Sequence, residues 1–241
     1  MLLRIVAIVF PIFAVIAVGY VYGRLRKPDM TFANQLNMDV FIPALVFGAL
    51  ASKSFSIETY ALLGFAGLLV VLGSGALAIP VARMLRVPVN TFVPPMMFNN
   101  SGNMGLPLMM LAFGEAMLPA AVMLFLVENV LHYSLGTWML DHRARLTTLW
   151  RIPVILAAIA GLAVSLSGFQ PWPPFLTAVR MLGDVSIPLL LFSLGVRLTD
   201  SAFQDLRIGL IGAVFCPLSG VLIAYAAALL LGIEGIQRDM L

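Results

Sequence analysis

Apolar segments of about 20 residues recur along almost the whole chain, and a helix of this length spans the hydrocarbon core of a bilayer. The chain is 61% hydrophobic and 10% charged, whereas soluble domains average roughly 45–50% apolar and 25% charged residues. The sequence therefore predicts an all-α polytopic membrane protein. The eight predicted membrane segments are 3–23, 33–52, 60–82, 91–113, 117–139, 150–169, 174–197 and 207–231.

The loops between these segments differ in their content of Lys and Arg. Ten of the 14 basic residues fall in alternate loops, and the positive-inside rule assigns those loops to the cytoplasm and the N-terminus to the outside. Because the basic residues are scattered between apolar segments, we expect contact with a lipid bilayer and not with nucleic acid. The cytoplasmic set is Arg24, Arg26, Lys27, Arg83, Arg86, Arg143, Arg145, Arg151, Arg197 and Arg207, and the opposite set is Arg4, Lys53, Arg180 and Arg238.

The residue types needed for enzyme chemistry are sparse. One cysteine, Cys216, and two histidines, His132 and His142, are too few for a structural zinc site. Ser101 has no histidine near it in the sequence, and neither a Gly-x-x-x-x-Gly-Lys-Ser/Thr loop nor a His-Glu-x-x-His motif occurs. We therefore expect no enzymatic activity, no metal and no cofactor.

A polar stretch interrupts the fourth segment, 91–113. In hydrocarbon every backbone N–H and C=O needs a partner, so a broken helix is tolerated only where it faces protein or water. We expect this stretch to line an internal cavity and to bind a substrate. A kinked structural helix bonded to its neighbours is the alternative. The predicted binding residues are Asn99, Asn100, Ser101, Gly102, Asn103, Gly105 and Pro107.

The end of the polar stretch carries residues that begin a helix. Pro107 lacks an N–H and suits a first turn, which the side chain of Asn103 or Ser101 can cap. The sequence thus predicts a half-helix over 104–113 that starts near the middle of the bilayer. Its free N–H groups and positive dipole end favour an anionic group such as a carboxylate.

Two stretches of the chain repeat each other. Residues 39–47 (DVFIPALVF) match residues 184–192 (DVSIPLLLF) at six of nine positions with an offset of 145. The copies lie in the second and seventh predicted segments, an offset of five, and an odd offset inverts the second copy, as in inverted-repeat transporters. We predict a first five-helix repeat over 1–140, which includes the broken crossover helix, and part of a second repeat over 141–241. Chance similarity between Gly- and Leu-rich helices is the alternative.

Each copy carries an Asp and a Pro at membrane depth. These residues are Asp39 and Pro43 in the first copy, and Asp184 and Pro188 in the second. Ionisable groups in a membrane are costly and often functional, and Pro kinks a helix because it lacks an N–H. A role in coupling or gating and a structural role, in which the carboxylate caps a helix break, are equal alternatives.

Three further polar residues, Glu128, Asn129 and His132, lie in the middle of the fifth segment. Glu128 and His132 are four residues apart and share a helix face. Facing a cavity, this pair could carry a proton. The alternative is a polar cluster that holds the fifth segment against its neighbours.

The stretch Asn99-Asn-Ser-Gly-Asn-Met-Gly-Leu-Pro107, with FIPALVF at 41–47 and IPLLLFSLG at 187–195, resembles the auxin efflux carrier family of membrane transporters. The resemblance implies a fold like that of bile acid:sodium symporters and sodium/proton antiporters, with ten helices in two inverted five-helix repeats. It also implies a substrate site at the polar stretch, a bacterial inner (plasma) membrane location, and substrates such as malonate, malate or auxin-like weak acids. About eight of the ten helices are expected, because the chain ends at Leu241 before a second crossover.

These features together predict secondary transport of a small organic anion by alternating access. The alternative is a membrane sensor, or an inactive truncated remnant, that binds a carboxylate without moving it. Coupling to protons or sodium ions, and assembly as a homodimer, are left open.

Overall fold

The structure is a computed structural model that describes residues 2–51, 57–141, 150–200 and 206–241. Nearly all of these residues are helical, and the described part of the chain contains no β-strand. The protein is therefore an all-α polytopic membrane protein, as its composition predicts. Four residues used in the sequence analysis, Lys53, His142, Arg143 and Arg145, lie outside the described residues.

Twelve α-helices and several tighter or wider helical turns make up the described chain. The helices are α1 (Leu2–Arg26), α2 (Thr31–Leu36), α3 (Ile42–Leu50), α4 (Ile57–Leu85), α5 (Val89–Met97), α6 (Leu106–Phe113), α7 (Leu118–Leu131), α8 (Thr137–Leu140), α9 (Pro153–Ser167), α10 (Pro173–Arg197), α11 (Leu206–Leu231) and α12 (Gly235–Met240). The π-helical turns are Asn37–Phe41, Ser101–Gly105 and His132–Gly136, and the 3-10 turns include Glu115–Met117 and Leu198–Asp200.

Within the described residues, five stretches are long and apolar enough to cross a membrane. They correspond to the first, third, fifth, seventh and eighth predicted segments. The second predicted segment is divided by a π-helical turn, the fourth is broken at 98–100, and the sixth is a helix of 15 residues. The five stretches are Ile5–Arg26, Glu58–Leu85, Glu115–Leu140, Pro173–Asp200 and Leu206–Leu231.

The chain divides into two compact units whose segments alternate along the sequence. The first unit comprises Met1–Ser56, Gly102–Val122 and Trp150–Ala202, and the second comprises Ile57–Ser101, Met123–Leu149 and Phe203–Leu241. One boundary therefore falls inside the polar stretch, between Ser101 and Gly102. The predicted repeats divide the chain at a different place, after residue 140, and stay a prediction.

In the first unit, α10 packs against both α1 and α3, and α9 packs against α3. The buried contact between α1 and α10 contains Ile12, Ile16 and Leu191, which we call the α1–α10 cluster. The two helices approach closely because glycines face the opposite backbone. A Cβ at Gly19 would overlap the carbonyl oxygen of Phe192 on α10.

In the second unit, α4 is the helix against which the others pack. It contacts α5 and α11 along its length. Three of its glycines lie under side chains of its neighbours, since a Cβ at Gly64 would meet Met123, one at Gly67 would meet Leu124, and one at Gly73 would meet Ile223. The glycines of α4 thus allow α7 to approach one part of the helix and α11 to approach another.

We predict that Gly19→Ala and Gly195→Ala each destabilise the first unit. A Cβ at Gly195 would overlap the carbonyl oxygen of Ile16, as one at Gly19 would overlap that of Phe192. Overpacking of this kind costs about 1–3 kcal/mol. Gly220→Ala in α11 is the matched control, because a Cβ there meets no atom within 4 Å. Thermal unfolding in detergent should show lower transition temperatures for the first two variants only, and equal temperatures for all three would contradict the packing.

Candidate functional site

The polar stretch breaks the fourth predicted segment at residues 98–100. Helix α5 ends at Met97, and Phe98 has an extended backbone with φ −105° and ψ 108°. Helical backbone resumes at Ser101 as a π-helical turn and continues into α6. The predicted interruption is therefore present, and its non-helical part is three residues long.

The helix cap expected from Asn103 or Ser101 is wrong. The residue before α6 is Gly105, which has no side chain and makes no capping bond. The π-helical turn over Ser101–Gly105 is the physical reason, because it extends the helical backbone past residue 103 and leaves Asn103 inside a turn. Pro107 does lie in the first turn of α6, as predicted.

Glu128 of α7 contacts the break directly. Its carboxylate accepts hydrogen bonds from the Ser101 hydroxyl and from the backbone N–H of Asn99. The residue is 8% exposed, and among the described residues no Lys, Arg or His forms an ion pair with it. A backbone N–H left free by the break therefore has its partner on a neighbouring helix, as a broken helix in hydrocarbon requires.

Cys216 of α11 contacts the same break. Its thiol donates a hydrogen bond to Asn99 Oδ1 over 3.4 Å. The Glu128 carboxylate is near enough to interact electrostatically with this thiol. No pattern in the sequence marks Cys216 as part of this site, because the contact joins positions 117 residues apart and no signal in a single sequence pairs them.

The other two polar residues of the fifth segment make different contacts. The His132 ring packs against Phe98 with ring centroids 4.9 Å apart, so it touches the break through an aromatic ring. The Asn129 side chain donates to the Phe125 carbonyl of its own helix at 2.8 Å. No hydrogen bond or ion pair joins His132 to Glu128 within the described part of the chain.

The rest of the predicted binding residues belong to the first unit. Gly102, Asn103 and Gly105 lie in the π-helical turn, where all three are half-buried. The Asn103 side chain makes no hydrogen bond within the described residues. The neighbouring Met104 packs on the α1–α10 cluster, and Pro107 is fully buried.

The first unit contains a cavity of about 920 Å³, a size within the usual range for ligand pockets. Its walls are largely apolar. Three of the predicted site residues, Pro107, Asp184 and Pro188, line it, and Arg180 adds a positive charge. Arg180 has no ion-pair partner among the described residues.

The repeated Asp and Pro residues have different surroundings in the two copies. Asp39 lies in the π-helical turn before α3, and Pro43 is in the first turn of α3. Asp184 and Pro188 lie inside α10, which is helical throughout. The start of α3 has no side-chain cap, so the structure does not show the predicted capping of a helix break by Asp39.

No metal-binding cluster is present in the residues that the structure describes, which hold no group of three or more His, Cys, Asp or Glu in a suitable arrangement. The polar groups at the break can form hydrogen bonds to a polar or anionic ligand. The donors among them are a backbone N–H, a hydroxyl and amide groups.

The chain is similar in sequence to a protein that is named as a transporter. The chain is 28% identical over 218 residues to a Rhizobium meliloti (strain 1021) protein named "Putative malonate transporter", and the alignment covers 81% of this chain and 67% of that protein. No protein-family model matches the chain.

We predict that Ser101→Ala and Glu128→Gln are not additive in their effects on stability. Each change weakens the same hydrogen bond, which is worth about 1.5–3 kcal/mol when the acceptor is charged. The double variant should therefore lose less stability than the sum of the single losses, by about 0.5–3 kcal/mol. Thermal unfolding of the purified protein in detergent provides the measurement.

The control is a second double-mutant cycle, in which Glu128→Gln is combined with Ser134→Ala instead of Ser101→Ala. The Ser134 hydroxyl donates to the Val130 carbonyl of its own helix, so its loss and Glu128→Gln should add. Additive effects in the Ser101 cycle as well would contradict the contact between Ser101 and Glu128.

Proposed function

We propose that the protein is a secondary transporter that moves small organic anions across a membrane by alternating access. The observation that carries the proposal is the break at 98–100 together with the buried carboxylate of Glu128, which accepts hydrogen bonds from Asn99 and Ser101. Polar groups and broken helices at membrane depth are costly, and they typically line the path of a substrate.

The break offers donors suited to a carboxylate. The N–H of Asn99 and the hydroxyl of Ser101 already serve one carboxylate, that of Glu128. Hydrogen bonds to ionised oxygens are roughly twice as strong as those between neutral groups, so the same donors favour an anionic substrate. The amide group of Asn100 would add donors from the next residue of the stretch.

The finer parts of the proposal rest on sequence. The similarity to a protein named as a malonate transporter, and the resemblance of the 99–107 stretch to the auxin efflux carrier family, support small carboxylates as substrates. Malonate is the first candidate. Two inverted repeats, a bacterial inner membrane location and an N-terminus on the outside belong to the same proposal.

Cys216 allows binding to be measured separately from transport. It is the single cysteine of the sequence, and its thiol contacts Asn99 at the break. We predict that malonate slows alkylation of Cys216 by a small maleimide several-fold. Malonamide, which has the same skeleton without the charges, should not slow it. Equal labelling rates with malonate, with malonamide and without either would contradict binding at the break.

We predict that Asn103→Leu abolishes malonate uptake by liposomes that contain the purified protein, without preventing membrane insertion. Leucine removes a polar lining group and adds apolar surface. Because the Asn103 side chain makes no hydrogen bond within the described residues, the change breaks no described side-chain hydrogen bond. Asn90→Leu, at an exposed Asn in the first turn of α5, is the matched control and should keep uptake. Uptake by Asn103→Leu at the wild-type rate would contradict the proposed site.

The two assays together separate transport from sensing. A transporter shows both protection of Cys216 and uptake of malonate. Protection without uptake would favour the alternative, a membrane sensor that binds a carboxylate and does not move it.

A further inference from the structure

The Glu128 carboxylate occupies the donors that a substrate carboxylate needs. It accepts hydrogen bonds from the Ser101 hydroxyl and the Asn99 N–H, the two groups at the break that already bind an anionic oxygen. A hydroxyl donates one hydrogen bond, and so does a backbone N–H. A substrate carboxylate can therefore take these donors only when Glu128 gives them up.

Among the described residues, no cation pairs with Glu128 in a way that would let two carboxylates coexist. On α11 the titratable group facing it is the Cys216 thiol, and on its own helix the nearest is His132, whose ring packs on Phe98. The facing part of α4, residues 61–82, and all of α5 carry no titratable side chain.

Two carboxylates that share a site without a cation cannot both stay ionised, because like charges at short range disfavour the charged form of one of them. We propose that Glu128 is a proton-carrying gate that couples the movement of each substrate anion to the movement of one proton. The protein would then be a proton–anion symporter. This inference rests on the proposed transport function, and it names the coupling ion of that same site.

The cycle balances in protons and charge. When an anion enters the break, Glu128 takes one proton from water on the same side, and the neutral carboxyl releases its two donors. A protonated carboxyl can itself donate to the Ser101 oxygen, so the Ser101 hydroxyl hydrogen is free to turn to the substrate. When the anion leaves on the other side, Glu128 loses its proton there and its carboxylate accepts the two hydrogen bonds again.

The first test uses liposomes that contain the purified wild-type protein, with labelled malonate and an imposed pH gradient. Malonate should accumulate against its own gradient when the outside is acidic. At low malonate concentration, the initial rate should rise up to about tenfold per unit fall in external pH over the range in which Glu128 is ionised, since one proton is taken up per anion.

Glu128→Gln is the diagnostic variant, because glutamine resembles the protonated carboxyl and cannot release a proton. It should keep malonate protection of Cys216, lose accumulation driven by the pH gradient, and show at least a several-fold weaker dependence on pH than the wild type. The ionisation of malonate itself is the same in both proteins and does not contribute to this difference. Glu58→Gln, at an exposed residue in the first turn of α4, should behave as the wild type.

A second measurement uses the unaltered protein and does not depend on the folding of a variant. Malonate is mixed with the detergent-solubilised protein in weak buffer, above the pH range in which malonate titrates, and a dissolved indicator reports protons. Binding should remove about one proton from solution per malonate bound. Binding without proton uptake would overturn the inference.

Other outcomes would overturn it as clearly. If Glu128→Gln keeps the wild-type accumulation and pH dependence, Glu128 is not the gate. If His132→Gln removes that dependence and Glu128→Gln retains it, the proton carrier is the imidazole. The failure of the proposed function has a different signature, because malonate would then neither protect Cys216 nor enter liposomes at any pH, with or without a gradient.

Discussion

A peptide group without a hydrogen-bond partner costs several kcal/mol inside hydrocarbon, where no water replaces the missing bond. The break at 98–100 leaves such groups without partners in the helix itself. Glu128 offsets this cost by accepting a hydrogen bond from the backbone N–H of Asn99. Cys216 donates a hydrogen bond to the side chain of the same residue. Two separate helices must therefore be held at fixed positions beside the break.

The packing of the second unit provides that positioning. Helix α4 has glycines where it meets α7 and α11, so these helices approach it closely and at defined heights. Phe98 is fixed in turn between the His132 ring and Gly136, where a Cβ would lie 2.8 Å from the Phe98 ring. The polar groups at the break are thus held by apolar contacts around them.

Local features of the fold could be predicted from the sequence, because they depend on neighbouring residues. Five of the eight predicted apolar segments as long helices, the break in the fourth segment and Pro107 in the first turn of a helix are of this kind, and they are present in the described residues. The predicted cap by Asn103 or Ser101 is wrong, because a π-helical turn spans Ser101–Gly105 and α6 begins only after Gly105. A count of apolar residues also does not reveal where a segment is interrupted by a π-helical turn, as the second segment is.

The site itself could be predicted only in part. Asn99 and Ser101 stand out because polar residues are rare in such a chain, and Glu128 stands out for the same reason. That Glu128 bonds to both of them depends on how the fold brings α7 to the break, which no local pattern contains. Cys216 illustrates the limit most clearly, because it lies among apolar residues of a continuous helix and only the fold brings it to the break.

The most direct measurement is solid-state NMR of the protein in lipid with carboxyl-13C malonate and uniform 15N labelling. Dipolar coupling reports which protein nitrogens lie near the bound carboxylate. The account predicts coupling to the backbone nitrogen of Asn99, which is lost when malonate is washed out. Coupling to the guanidinium nitrogens of Arg180, with none to Asn99, would instead place the anion in the cavity of the first unit and contradict binding at the break.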